Sequence, residues 1–365
     1  MRTPNLLALV LAAVLIAASA GAQRVVLRAD HVLDGTGKTL PGGAVVVEGD
    51  KIAAVTAPEG VGTYDLRGLT LLPGLIDAHS HPTWYFNRQG RFHTRADGDT
   101  PVQSMLSTVA NAYATLLAGV TTLQSPGSPE DRDLRDWIDA GQVPGPRVLT
   151  SLEPLANPRL SPDSLRAVVR QRKAEGADLI KIFASASIRD GGQLTLTDEQ
   201  LRAACGEAKA QGLRTLVHAH SAESVRAATL AGCTQIEHGV FATEEVLRLM
   251  ADRGTYFDPQ ICLVFRNYLD NRARYEGIGN YNEAGFAAME RAIPTATAMF
   301  RRALTIPKLK IVFGTDAVAG AHGRNVEELV CRVQAGGQRP MDAIVSATSL
   351  GARAMGLGDR IGSVA

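Results

Sequence analysis

Net charge is the first thing this chain lacks. Its 365 residues carry 38 Lys and Arg against 37 Asp and Glu. That balance gives no electrostatic case for a nucleic-acid partner or an anionic membrane surface. Long apolar runs are missing too, apart from the N-terminus, so no stable membrane insertion is expected of the remainder. Cysteine is scarce: Cys205, Cys233, Cys262 and Cys331 are dispersed, none at metal-ligand spacing. An enzyme of this size can hold its core without disulfides, so buried free thiols are expected. No internal repeat or low-complexity segment is present.

What is present begins with the N-terminus. Arg2 precedes an apolar run from Leu6 to Ala18, and small residues follow at Ala18, Ser19, Ala20, Gly21 and Ala22. A basic start, an apolar middle and a small-residue end predict a signal peptide over 1–22 and an exported, periplasmic or secreted protein. An uncleaved anchor is the competing reading. Over 23–71, short β runs alternate with Gly and Asp turns such as Gly49-Asp50, which predicts part of a small β-domain.

From Leu71 the rhythm changes. Apolar or β-branched runs at 71–76, 120–123, 147–149, 179–183, 215–217, 234–236, 255–257 and 310–313 alternate with helical patterns. The helical stretches fall at 101–117, 131–140, 161–175, 197–210, 221–231, 243–251, 284–303 and 325–334. Several open on a cap signal, as at Ser161-Pro162 and Thr197-Asp198-Glu199, and several end on Gly. Eight such units over 72–358 predict an α/β fold, a (β/α)8 TIM barrel with a β-sandwich accessory domain. An open doubly wound sheet would not gather eight strand ends around one centre. The polar stretch 266–285, with Tyr268, Tyr275 and Tyr281, is expected to be a long loop, either an active-site lid or a surface insertion.

The chemistry lies at the strand ends. Asp77, His79 and His81 share one side of an extended segment, with Asp77 placed to orient a ligand. Lys181 stands between Ile180 and Ile182, where a lysine must be paired or must face the barrel mouth. Burial lowers an amine's pKa, and reaction with CO2 then gives an anionic carbamate able to bridge two metals. Pairing with a barrel carboxylate is the alternative, favoured for the lysine alone but not beside this set of histidines. His218 and His238 each end a strand. Glu237, one residue earlier, is expected on the opposite side from His238. His220 could polarise a scissile carbonyl or serve as a hydrogen-bonded support. Asp316 ends the last strand and can act both as ligand and as proton carrier. His322 and Asn325 line the rim or belong to a capped loop, and Arg324 binds a substrate carboxylate or is a solvated helix-start residue.

Together these segments resemble the amidohydrolase superfamily, in its binuclear branch. The match runs through Leu72-Pro73-Gly74-Leu75-Ile76-Asp77-Ala78-His79-Ser80-His81, Gly119-Val120-Thr121-Thr122-Leu123, Ile180-Lys181-Ile182, the His218 and His238 strand ends, Gly314-Thr315-Asp316, and the tail Ala347–Leu357. The resemblance implies two divalent metal ions, zinc for preference. His79, His81 and Asp316 would hold one, His218 and His238 the other, and carboxylated Lys181 would bridge them. In detail the chain is similar to exported prolidase-like carboxypeptidases, which cleave Xaa-Pro dipeptides or N-acyl amino acids. That implies a small-molecule substrate, a proton shuttle at Asp316, a catalytic or substrate-contacting His220, and the possibility of a homo-oligomer.

A mononuclear deaminase on the same fold is the first alternative. It would carry a glutamate where Ser221 stands and would lack Lys181. Lactone or phosphotriester hydrolysis is a second alternative, and a non-catalytic binding protein a remote third. Relatives return after the barrel with strands that complete the β-domain. Here 359–365 would only begin that return, leaving a sheet edge open.

Overall fold

The computed structural model describes residues 24–56 and 62–364. The expected signal segment 1–22 lies outside them. The described residues fall into two compact units: 24–34, 38–72 and Val364 in the smaller, 35–37 and 73–363 in the larger.

The smaller unit is a four-stranded sheet. Strands β1 (Arg24–Leu33), β2 (Thr39–Glu48), β3 (Lys51–Thr56) and β4 (Tyr64–Leu71) lie in the order β3-β2-β1-β4. β2 pairs antiparallel with β1 and β3, whereas β4 runs parallel to β1. Gly49, at φ +64°, makes the β2–β3 turn in a conformation that glycine adopts without a Cβ penalty. Val32, Val45 and Val364 form its buried centre, and the Val364 amide donates to the Asp34 carbonyl at 3.0 Å. Marginal strands β3 and β4 are exposed over most of their lengths.

In the larger unit all eight predicted strands form. They are β5 (Leu75–Asp77), β6 (Val120–Ser125), β7 (Arg147–Thr150), β8 (Leu179–Phe183), β9 (Arg214–Ala219), β10 (Gln235–His238), β11 (Tyr256–Asp258) and β12 (Lys310–Ile311). Every pairing is parallel, in ladders β5-β6-β7 and β8-β9-β10-β11-β12. Individual hydrogen bonds span the two seams. Asp178 donates to the Thr150 carbonyl at 2.8 Å, and Ala78 donates to the Phe313 carbonyl at 2.9 Å. A helix follows each strand, with ends close to those the caps predict. Thr197 and Gln200 form a reciprocal capping box at 2.8 and 3.2 Å.

Two expectations fail here. The 266–285 stretch is largely helical, in Leu263–Asp270, Arg272–Tyr275 and the start of Glu283–Ala303. Its tyrosines are buried against one another, with Tyr268–Tyr275 and Tyr275–Tyr281 ring centroids both 4.9 Å apart. Their aromatic area outweighs the polar composition that suggested a loop. The cysteines are not free. Cys205 pairs with Cys233 and Cys262 with Cys331, at Cα separations of 5.2 and 6.3 Å. Sequence separations of 28 and 69 residues carried no sign of either pairing.

Candidate metal centre

The first ligand group is assembled where β5 ends. Asp77 is fully buried, and its carboxylate accepts from the His79 amide at 3.1 Å, the Thr315 amide at 3.0 Å, the Thr315 hydroxyl at 2.6 Å and the Asn325 side chain at 2.8 Å. Asp77 therefore ties the first strand end to the last and fixes the backbone on both sides of the site, not an imidazole ring. His79 Nε2 and His81 Nε2 stand 3.1 Å apart, and Asp316 Oδ1 lies 3.4 and 3.1 Å from them. Lys181 Nζ lies 3.4 Å from His79 Nε2.

His218, His220 and His238 form the second group, with ring centroids 4.6–4.7 Å apart. His238 has φ +70° and Asp316 φ +50°, left-handed conformations unusual for residues other than glycine. These turns break the strand alternation. Glu237, in register with His218, holds the regular inward face of the strand and does not face away from the site: its Oε2 is 2.6 Å from His79 Nδ1, and its side chain is fully buried. Behind it Gln235 donates to Glu237 Oε1 at 2.9 Å, and Asp258 and Arg332 follow at 3.3 Å from one another.

Burial sets the protonation states. It holds His79, His218 and His238 far below the usual imidazole value and brings His220 to about 3, with the Arg189 charge adding to the shift there. It also lowers the Lys181 amine. Burial pushes Asp316 up, but His79 and His81 outweigh it and hold the carboxyl below its ordinary value. Neutral imidazoles and an ionised carboxylate are the forms that bind a cation.

The spacing tests the fit of a metal directly. Ligands about 2.0–2.1 Å from a tetrahedral zinc stand roughly 3.3 Å from one another. The contacts among His79, His81 and Asp316 span 3.1–3.4 Å. Facing ring nitrogens at that distance suit a shared cation better than direct contact. The donor set of nitrogen and carboxylate oxygen suits zinc and its neighbours in the first transition row.

All six predicted ligands line one cavity of about 340 Å³, and so does His220. Trp84, Phe183, Val264, Phe265, Tyr268 and Met289 supply apolar wall. Trp84 stacks on His81 with centroids 4.6 Å apart. The rim candidates are placed elsewhere. Asn325 is buried on Asp77, His322 Nε2 lies 3.2 Å from the Trp84 carbonyl, and Arg324 pairs with Glu327 at 2.8 Å. Sequence reasoning missed Arg189, which lines the cavity from the turn after β8, and the inward face of Glu237.

The amidohydrolase family model matches residues 70–365. The chain belongs to the amidohydrolase family. Over an alignment of 388 residues, this amidohydrolase is 26% identical to ochratoxinase of Aspergillus niger, covering 92% of this chain and 77% of that one. A crystal structure of a Xaa-Pro dipeptidase with methionine in its active site superposes with a TM-score of 0.81 at 27% identity, covering 94% and 91% of the two chains. A prolidase complexed with N-methylphosphonate-L-proline superposes with a TM-score of 0.82 at 23% identity, over 94% and 90%, and shares the fold. The amidohydrolase is thus a barrel enzyme with an accessory β-domain, and a hydrolase of carbon–nitrogen bonds in small molecules.

Proposed function

We propose that this amidohydrolase cleaves the amide bond of a dipeptide or an N-acyl amino acid. The observation that carries the reading is the convergence of two histidine groups, Asp316 and a buried lysine on one cavity. Likeness to ochratoxinase and to a Xaa-Pro dipeptidase supports an amide substrate of that size.

His79, His81 and Asp316 would hold one divalent ion, and His218 and His238 a second, zinc being favoured by the donors. Lys181, its pKa lowered by burial, is suited to react with CO2. Nitrogen attacks carbon, one proton is released, and the resulting carbamate would join the two sites. When bound, the ions would make water acidic enough to attack at neutral pH and polarise the scissile carbonyl. Asp316 takes the proton of the attacking water and gives it to the departing nitrogen. His220, kept neutral, contacts the carbonyl side of the substrate. The apolar wall limits bulk water around the reacting bond.

Export is part of the reading. The pattern at 1–22 supports it, and two buried disulfides fit an oxidising compartment. The deciding experiment screens zinc-loaded protein against dipeptides, N-acyl amino acids, lactones and phosphotriesters. Turnover confined to the last two classes refutes the amide reading.

A further inference from the structure

Arg189 is the cation in the cavity wall that the chemistry above leaves unused. It lies in the turn after β8, half-buried, and its position is fixed from three sides. Its Nε donates to Asn280 Oδ1 at 2.8 Å, and Asn280 is itself held by Asp190 at 2.6 Å. Its guanidinium carbon lies 4.1 Å from the Tyr281 ring centroid and 5.5 Å from that of Tyr268. Stacking of this kind orients the plane of the guanidinium and spares its edge for hydrogen bonds.

That edge has no partner. Among the described residues no carboxylate lies within ion-pair distance of Arg189, and neither terminal nitrogen donates to a protein acceptor. The two terminal N–H₂ groups form an end-on fork matched to a carboxylate. Tyr268 adds a second donor. It lines the same cavity, and its hydroxyl accepts from Tyr281 at 3.1 Å. Its own proton then has no acceptor among the described residues. Half-buried in the cavity wall, the guanidinium keeps this edge open to a ligand anion. Arg324 cannot serve instead, since Glu327 and Asp270 already occupy it outside the cavity.

We propose that Arg189, supported by Tyr268, binds the free carboxylate of the substrate and makes the enzyme select acids over the corresponding amides. The inference rests on reading the cavity as an amide-hydrolase site. It adds the end of the substrate that is held and the residue that holds it. Arg189 is a specificity residue, remote from the proton transfer at Asp316.

The test compares glycyl-L-proline with glycyl-L-prolinamide on zinc-loaded wild type, Arg189→Met and Arg189→Lys. In wild type the peptide bond of the acid is cleaved preferentially. Loss of a charged, forked contact should lower the acid-to-amide ratio of kcat/KM by about 10²-fold in Arg189→Met, mostly through KM. Arg189→Lys keeps the charge without the fork and should fall between the two. Equal losses on acid and amide would make Arg189 merely structural and overturn the proposal, as would an unchanged ratio. Calorimetric binding of the same two compounds to Asp316→Asn, with and without Arg189→Met, separates this proposal from the wider reading. If wild type cleaves neither compound, the dipeptide reading falls. Binding then decides the role of Arg189: a preference for the acid that disappears in the double variant upholds it, and absence of any preference overturns it.

Discussion

Arg332→Met offers the most direct trial of the charge network beneath the site. Arg332 is fully buried on helix Val326–Gln334. Its terminal nitrogens donate to the Val312 carbonyl at 2.7 Å, to the Gly314 carbonyl at 3.2 Å, to the Pro259 carbonyl, and to Asp258 at 3.3 Å. Its Nε reaches Glu328 at 3.4 Å. Glu328 in turn accepts the amides of Ile261, Cys262 and Leu263 at 2.7–2.9 Å. One guanidinium therefore pairs with two fully buried carboxyl groups, of which burial pushes Asp258 well above its ordinary value, and satisfies three carbonyls behind the β11 and β12 strand ends. Methionine fills much of the same volume and removes all of this. Breaking a buried ion pair from one side costs about 3–5 kcal/mol, because the remaining charge is left uncompensated. At about 2.1 cal/mol/K per residue, a unit of roughly 290 residues unfolds with an entropy near 0.6 kcal/mol/K. The melting temperature should fall by about 5–8 °C in calorimetry at neutral pH. Glu328→Gln should also destabilise, and the double variant should lose less than the two singles together, since they share one interaction. A fall of under ~1 °C for Arg332→Met, or full additivity in the cycle, would refute the assigned coupling.

The other expectations concern the site itself. Lys181→Ala and Lys181→Arg should both lose metal, because neither side chain can form a carbamate, and small carboxylic acids should partly restore the alanine variant. Elemental analysis checks this: a limit of one metal per wild-type chain, unmoved by zinc and bicarbonate, removes the bridging role. Asp316→Asn should cut turnover by at least ~10²–10⁴-fold while keeping part of the metal, and near-normal turnover would shift the proton shuttle to His220. Glu237→Gln removes the carboxylate that faces His79 Nδ1 and should weaken zinc binding ~10–100-fold in chelator competition; unchanged affinity would make the contact incidental. Burial pushes Asp131 up to about 7 from 3.8. Between those values the folded chain keeps a proton that the unfolded chain releases, so wild type should lose stability relative to Asp131→Asn as pH rises. The difference should approach ~4 kcal/mol and level off above pH 7, and parallel stability curves for the two proteins would contradict it.

Sequence periodicity located the barrel well. Strand-length apolar runs bounded by caps and glycines mark β5 to β12 because each strand is buried and each helix has one apolar face. The two motifs outside that logic were misread. The tyrosines of 266–285 are spaced irregularly, so no period reveals that they pack on one another. The disulfides join residues 28 and 69 positions apart that meet through packing of neighbouring strand–helix units, and such pairings leave no local trace in the chain.

The site was legible for a different reason, and so was its limit. Histidines, Asp316 and Lys181 stand out because charged or ligating residues inside apolar strands demand a partner. Glu237 makes the same demand, yet simple strand alternation turns it away from His238. The structure satisfies both residues by giving His238 a left-handed backbone, φ +70°, at the point where the strand ends. His238 then turns toward His218 and His220, while Glu237 keeps the inward position that its strand assigns and meets His79. Such strain is tolerated where the surrounding structure fixes it, and at a strand end it doubles the number of adjacent residues that reach one centre. Asp316, at φ +50°, has the same backbone conformation beyond the end of β12, where Asp77 holds the preceding Thr315 by both amide and hydroxyl. Four non-glycine residues have a left-handed backbone among the described residues, Leu152, His238, Lys308 and Asp316, and two of them belong to the site.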